Sequence, residues 1–232
     1  MKWLTAYLTS SIGRKLLMSL TGIFMILFLI VHLIGNLQLL KSDGGEAFNV
    51  YAYFMTHNPL IKTISYGLYF FIVLHSIVGL ALWSSNRAAK GQKYAVAYKN
   101  ERITWASQSM ALLGSLILFF LILHMGDFWF KMKFTSQLPI IKNYKDYEGI
   151  EVKDLYTAVA TSFKEIWIIV TYLISMVVLY FHLSHGFQSA FQTLGLNHRK
   201  YSPLIKGLGW AYAILVPIGF AIIPIWFYLT HK

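Results

Sequence analysis

Five histidines of this 232-residue chain lie inside long apolar stretches, where ionisable side chains are costly and usually functional. They are His32, His75, His124, His182 and His185, whereas His57, His198 and His231 fall in loops or at the terminus. A single intramembrane histidine is explained equally well as a hydrogen-bond donor between helices. Four successive apolar stretches that each hold a histidine near the same relative position favour a shared task, either metal or cofactor ligation or proton relay.

The surrounding composition is that of a membrane protein, with 57% hydrophobic and 12% charged residues and a mean hydropathy of +0.56. A helical span needs about 20 mainly apolar residues. Five stretches meet this length and predict an all-α integral membrane protein with one membrane domain over residues 1–232. They cover about 16–40, 60–84, 103–130, 165–192 and 204–229.

The segments between the spans are polar. Residues 41–58 are predicted to be a loop that leads to Pro59, and residues 131–163 a longer one in which 152–163 has the pattern of a short interfacial helix. Pro217 and Pro224 are expected to allow a kink in span five.

The formal charge of +11 would suggest nucleic acid on a soluble protein, but here it indicates topology, and we expect no nucleic-acid partner. One side of the membrane has eleven Lys and Arg against Glu101 alone, and the other has nine against eight acidic residues. The positive-inside rule therefore predicts a cytoplasmic N-terminus and an outside C-terminus. The eleven are Lys2, Arg14, Lys15, Arg87, Lys90, Lys93, Lys99, Arg102, Arg199, Lys200 and Lys206.

Counting along the predicted spans places the histidines at two depths. His32 and His124 lie past the middle of outward-running spans, roughly 6 and 10 Å from the centre, and His75 lies on the inner half of span two, roughly 5 Å from the centre. In span four, His182 lies at the same inner depth as His75, and His185 follows three residues later.

Two histidine pairs stacked in a helical bundle are what two bis-histidine b-type haems require. The chain has no cysteine, which excludes disulfides, covalently attached c-type haem and iron–sulfur clusters ligated by this chain. Gly35, Gly79 and Gly186 would let a macrocycle approach a helix, or would serve close helix packing. On depth alone, either His182 or His185 is able to complete the inner pair.

The motifs around these histidines resemble the dihaem cytochrome b membrane subunit of succinate:menaquinone oxidoreductases and the related quinol:fumarate reductases. The resemblance covers nearly the whole chain from Gly13 onward and is most specific in the ordered set of four histidines and the Gly-x-Glu-Ala-Phe-Asn loop. The matching segments are VHLIGN in span one, GGEAFNVYAYFM before Pro59, LHSIVG in span two, LHMGD in span three and FHLSHGFQSAFQTLG in span four.

The resemblance implies that His32 and His124 ligate an outer haem and that His75 and His182 ligate an inner one. His182 is favoured over His185 because it lies four residues before Gly186 and thirteen before Gly195, as the family pattern requires. It further implies an anchor subunit of the bacterial cytoplasmic membrane, which binds a flavoprotein and an iron–sulfur subunit at the cytoplasmic face and contains no dicarboxylate site itself.

Electrons would then pass between the iron–sulfur subunit, the two haems and a menaquinone near the outer haem. Glu46, Tyr53 and His57 are the nearest polar groups that could exchange protons with the quinone, with Glu46 the first candidate and His57 the second. The alternative is that these three residues belong to an ordinary solvated loop.

Two other functions compete with this interpretation. The cytochrome b subunit of a hydrogenase or formate dehydrogenase also uses membrane histidines, but the Gly-x-Glu-Ala-Phe-Asn loop argues against it. A haem-free transporter or proton channel would use the histidines as a relay, and it would have no haem absorbance and need no soluble partners.

Overall fold

The structure is a computed structural model and describes residues 2–89, 105–142, 144 and 149–230. The basic segment with Lys90, Lys93, Lys99 and Arg102, together with Glu101, lies outside the described residues, as does His231. The first two residues of the predicted third span, 103–104, also lie outside them.

The prediction of five spans is confirmed, since five described helices are long and apolar enough to cross a membrane. The chain is therefore a multi-pass helical membrane protein. The five spans cover Ser11–Leu40, Pro59–Ala89, Met110–Phe134, Ile166–Thr193 and Ser202–Thr230.

Shorter elements precede and connect these spans, and all are numbered here in chain order. The helices are α1 (Lys2–Thr9), α2 (Ser11–Asn36), α3 (Glu46–His57), α4 (Pro59–Ala89), α5 (Trp105–Gln108), α6 (Met110–His124), α7 (Lys131–Phe134), α8 (Leu155–Ser162), α9 (Ile166–Thr193) and α10 (Ser202–Thr230), and the strands are β1 (Ile140–Ile141) and β2 (Val152–Lys153). A 3₁₀ turn, Leu37–Leu40, extends span one, and a π-helical turn, Met125–Phe130, joins α6 to α7 in span three.

Local signals explain where several helices begin. Asn58 accepts hydrogen bonds from the backbone N–H groups of Leu60 and Ile61 at the start of α4, where Pro59 occupies the first helical position. Asp154 caps α8 in the same way through the N–H of Thr157. Span five continues as one helix through Pro217 and Pro224, and both prolines are buried.

The first four spans contact one another in a ring. The α2 helix packs against α4 and α9, and α6 packs against the same two helices. The fifth span, α10, packs outside this ring on α9 and α2. Spans one and three therefore face each other across the centre, and so do spans two and four.

Both segments predicted as polar loops contain more structure than expected. Residues 46–57 form the helix α3 rather than a loop, because Gly44 and Gly45 adopt positive φ angles of 67° and 89° and the Asp43 carboxylate accepts hydrogen bonds from the N–H groups of Gly45 and Ala47. The predicted helix at 152–163 is confirmed over Leu155–Ser162. It follows a two-stranded antiparallel ladder that pairs Ile140 with Lys153 and Ile141 with Val152.

We call α3, β1, β2 and α8 together the cap. A large cluster of buried apolar residues joins the cap to spans one, four and five, so the described parts of the 131–163 segment that contribute to it, around Leu138 and over 155–163, are packed and not free. The cluster comprises Leu39, Phe48, Leu138, Leu155, Val159, Ala160, Phe163, Ile168, Ile169, Ile223 and Phe227.

Candidate functional site

The ring of four spans brings the predicted histidines together as two pairs across its two diagonals. The imidazole rings of His32 and His124, on spans one and three, have centroids 5.8 Å apart and planes inclined at 86°. The rings of His75 and His182, on spans two and four, have centroids 6.4 Å apart at 61°. Each pair therefore crosses the middle of the bundle, and each of the four helices supplies one ring.

The two pairs lie at different levels along the bundle. A Cβ placed on Gly22 would lie 3.6 Å from Cε1 of His75, and one on Gly114 would lie 3.7 Å from Cε1 of His182. Gly22 precedes His32 by ten residues, and Gly114 precedes His124 by ten residues. Ten helical residues rise about 15 Å, so both helices independently give the same separation between the levels.

The distances within each pair suit one metal ion held by two imidazoles. Each nitrogen–metal bond is about 2 Å long, which sets two ligating nitrogens about 4 Å apart and the ring centres roughly 6 Å apart. Among the described residues, no group of three or more His, Asp or Glu side chains could hold a metal ion. A donor set of two imidazoles leaves four positions to another ligand, which is what a porphyrin supplies.

Hydrogen bonds orient the His75 ring for ligation. Thr21 Oγ1 donates to the carbonyl of Leu17 at 2.6 Å and lies 2.9 Å from Nδ1 of His75. If the Thr21 hydroxyl gives its one hydrogen to Leu17, it accepts from the imidazole, and the tautomer with the proton on Nδ1 fits this contact. His75 also makes a hydrogen bond with the backbone of Met18. In the Nδ1-protonated tautomer the Nε2 lone pair of His75 is available to a metal.

The other three rings have different surroundings at Nδ1. Tyr172 Oη lies 3.1 Å from Nδ1 of His124, and the Asn36 amide lies 3.3 Å from Nδ1 of His32 while it donates to the His32 carbonyl. Nδ1 of His182 is buried and has no hydrogen-bond partner among the described residues. A hydroxyl group therefore contacts Nδ1 in His75 and His124, and these two rings are the best oriented.

The spans leave room beside these rings. All four histidines are partly exposed as whole residues, although their rings meet at the bundle centre. Among the 18 consecutive residues that are most apolar in each span, only 6% are buried in spans two and three, and 33% are buried in span five. The spans that supply His75 and His124 thus offer their surfaces to lipid and to a bound group more than to other helices.

The predicted proton-exchange residues share one cavity of about 740 Å³ on α3. Glu46, Tyr53 and His57 all line it, because residues seven and eleven positions apart return to the same helix face. His57 stacks on Tyr53 with ring centroids 3.9 Å apart. Glu46 and His57 are roughly 16 Å apart along the helix, so they serve opposite ends of the cavity.

This cavity adjoins the end of span one that carries His32. Gln38, six residues after His32, lines the cavity, and so does Tyr51. The Tyr51 ring occupies the position that a Cβ on Gly35 would need. The α3 helix therefore packs directly on span one, at a point one turn beyond His32. Burial raises the pKa of Tyr51, and the hydroxyl stays protonated at neutral pH.

The remaining predictions have mixed outcomes. Gly35 and Gly79 face the side chains of Tyr51 and Met18, and a Cβ on Gly186 would meet no atom within 4 Å; the glycines that face histidine rings are Gly22 and Gly114. His182 is the span-four ring that faces His75, and His185 lies one turn further on, partly buried. The ten-residue spacing from each of these glycines to a histidine was visible in the sequence but had no meaning until the facing helices were known.

Comparisons of the chain with models of known protein families, with curated proteins and with solved structures give no match.

Proposed function

We propose that this chain is the membrane anchor and electron-transfer subunit of a succinate:quinone oxidoreductase, with two bis-histidine b haems. The observation that carries the proposal is the geometry of the two diagonal pairs. Their ring centroids lie 5.8 and 6.4 Å apart, and the pairs are about 15 Å apart along the bundle. Two adventitious contacts between buried rings would not be expected to repeat the same diagonal arrangement at two levels.

The proposed roles of the residues follow from the donor set. His32 and His124 would hold one haem iron, and His75 and His182 the other, each through a neutral imidazole. When bound, the haems would supply one-electron carriers at two depths of the membrane. Thr21 orients His75, and Tyr172 and Asn36 contact the rings of His124 and His32.

The cavity beside span one supports a quinone site at the level of His32 and His124. It is large enough for a ring-bearing ligand, and it offers a carboxylate at Glu46 and an imidazole at His57 for proton exchange. A quinone bound there would take or give electrons next to the outer pair. Menaquinone, and the flavoprotein and iron–sulfur partners at the cytoplasmic face, follow from the resemblance noted above, and with them the orientation in a bacterial cytoplasmic membrane.

The test is a pyridine haemochrome assay on the purified complex. We expect two non-covalent b haems per chain and a reduced-minus-oxidised spectrum that resolves them. His198→Ala is a matched control, because His198 lies in the turn after span four and its Nδ1 accepts from the N–H of Lys200. One haem or none per chain in the unmodified protein would refute the proposal, and a complete absence of haem would favour a histidine relay.

The assignment to succinate chemistry has a separate test. The chain should co-purify from mild detergent with a flavoprotein and an iron–sulfur protein and should reduce quinone when succinate is supplied. Purification with both haems but with hydrogenase or formate dehydrogenase subunits would replace this assignment with the competing cytochrome b class.

A further inference from the structure

Asn49 is the most completely buried polar residue of the cap, with 0% of its surface exposed. Its amide nitrogen donates to Asp154 Oδ1 at 3.0 Å and to the hydroxyl of Tyr144 at 2.9 Å. Its oxygen accepts from the N–H of Tyr156 at 2.9 Å. A buried amide that satisfies both donors and its acceptor fixes its neighbours in position, since loss of any partner would strand a buried polar group.

These partners lie about a hundred residues away in sequence and start the α8 helix. Asp154 caps that helix by accepting from the N–H and the hydroxyl of Thr157. The ring of Tyr156 lies where a Cβ on Gly45 would be, so glycine is required at the start of α3. The α3 helix is thus attached to α8 at its first turn and again at Asn49.

The electrostatics of this contact favour the observed pairing. Burial and the nearby carboxylates of Asp154, Glu46 and Asp43 raise the pKa of Tyr144, so its hydroxyl keeps its proton. An amide at position 49 is neutral and can donate to Asp154, whereas a carboxylate there would repel it. Lys153, just before Asp154, donates to the carbonyls of Met132 and Thr135 and ties the same segment to span three.

From α8 the contacts continue to the His32–His124 pair. Phe163, which follows α8 and is 4% exposed, packs against the ring of Tyr172 at 5.0 Å between centroids. The Tyr172 hydroxyl lies within hydrogen-bonding distance of Nδ1 of His124. Asn49 is one helical turn from Glu46 and one from Tyr53, so its position sets the rotation and height of the cavity-lining face.

We propose that Asn49 is a positioning residue, which locks α3 to α8 and so fixes the cavity lined by Glu46, Tyr53 and His57 beside the His32–His124 pair. The catalytic consequence rests on the proposed quinone chemistry in that cavity. The structural claim, that Asn49 holds α3 to α8, does not depend on any haem or quinone.

The first experiment measures amide hydrogen exchange of α3 in the purified complex with Asn49→Leu, a side chain of similar size without hydrogen bonds. We expect exchange in residues 46–57 to rise about tenfold or more, because bonds to a charged carboxylate and a buried N–H are lost. The KM for a soluble menaquinone analogue should rise about tenfold, and kcat should change less than KM because the proton-exchanging side chains remain.

The second experiment exchanges the two partners. The double variant Asn49→Asp with Asp154→Asn keeps one carboxylate and one amide in contact, with donor and acceptor reversed and the total charge unchanged. It should recover part of the α3 protection and of the quinone KM lost in Asn49→Leu. Recovery is partial because Asp154 Oδ1 also accepts from the N–H of Thr157, and an amide nitrogen at that position cannot. Asn197→Leu, in the exposed turn at the other end of span four, is the matched control and should change neither quantity.

Several results would overturn the inference. They are unchanged α3 exchange in Asn49→Leu, and a double variant that stays as exposed to exchange as the single one. If Asn49→Leu does not accumulate, Asp154→Ala gives the same test. Its control is Thr157→Val, which removes a contact of Asp154 but leaves the bond between Asn49 and Asp154 in place. Equal α3 exchange in Asp154→Ala and Thr157→Val would also refute the inference. Absence of haem would refute the proposed function while leaving the exchange results to decide this inference.

Discussion

The two histidine pairs have the same donor set but are positioned by different means. The His32–His124 rings are surrounded by aromatic side chains, with Phe28 and Phe220 against His32 and Phe120 against His124. The His75 and His182 rings instead face Gly22 and Gly114 on the neighbouring helices, where an added Cβ would lie 3.6 and 3.7 Å from the respective ring.

The aromatic side chains beside the first pair come from three spans: Phe28 from span one, Phe120 from span three and Phe220 from span five. The second pair has a glycine on each of two facing helices instead, so it has space where the first pair has aromatic rings.

The largest expected effect is the loss of one haem, and it distinguishes the two histidine pairs. His75→Ala and His182→Ala should each remove the same haem and lower the haem content from about two to about one per chain, because a single imidazole does not retain it. His32→Ala and His124→Ala should remove the other. Redox-resolved spectra identify which haem is lost.

That pairing has a clear contrary result. If His75→Ala and His182→Ala remove spectrally different haems, the diagonal assignment is wrong. Retention of the inner haem in His182→Ala with its loss in His185→Ala would transfer the ligand role to His185.

Bulk at the facing glycines should disturb only the second pair. Gly22→Leu and Gly114→Leu should reduce inner-haem content by half or more, since an isobutyl group cannot fit beside a ring 3.6–3.7 Å from the Cβ position. Gly22→Ala should be tolerated, because 3.6 Å is an ordinary van der Waals contact. Haem content is measured by the same haemochrome assay.

Gly67→Leu on span two is the matched control, since no atom lies within 4 Å of a Cβ there. Equal haem loss in Gly67→Leu and Gly22→Leu would mean that the effect is general instability of the bundle and not contact with His75.

Substitution of a cavity-lining residue of α3 should affect quinone chemistry and leave both haems bound. Glu46→Gln should lower quinone-linked turnover about a hundredfold or more, as for loss of a general acid–base group, while both haems stay bound. Succinate oxidation with an artificial dye should persist. His57→Gln tests the other end of the cavity, and unchanged quinone turnover in either variant would remove that residue from the site.

The smallest expected effect concerns the hydrogen bonds to Nδ1. Thr21→Val removes one hydrogen-bond partner of the His75 ring and leaves the Met18 backbone as the other. The imidazole should become a weaker donor to iron, and the inner-haem midpoint potential should rise by about 20–60 mV, which corresponds to one hydrogen bond at 59 mV per tenfold. Tyr172→Phe should move only the outer potential. Redox titration measures both, and a shift of both potentials in either variant would contradict the separation of the two pairs.

Much of the fold could be predicted from the sequence. Span lengths are set by bilayer thickness and by the need to satisfy every backbone hydrogen bond locally, so composition over about 20 residues locates them. The depths of His32, His75, His124 and His182 follow by counting at 1.5 Å per residue. The start of α4 is explained by Asn58 and Pro59, both adjacent in sequence.

The cap could not be predicted in the same way. In the sequence, Asn49 belongs to a predicted loop. Its importance is visible only in the structure, where it forms hydrogen bonds with Asp154 and Tyr156, more than a hundred positions later. The polarity of residues 131–163 indicates a loop, yet Val159 and Phe163 are buried in it. Short elements of this kind are stabilised by contacts between distant segments, which local composition does not encode.

By itself the sequence therefore determined the number of spans, the two levels of histidines and the positions of several helix starts, because each depends on residues close together in the chain. The pairing of His32 with His124 and of His75 with His182 is already expected from depth and from the family resemblance. Only the tertiary structure decided that a ring of four spans brings each pair together, that Gly22 and Gly114 lie beside the His75 and His182 rings, and that Asn49 of α3 bonds to Asp154 and Tyr156. The reason is physical: the rotation of a helix about its own axis, and the neighbour it faces, are set by packing between segments that hydropathy alone treats as equivalent.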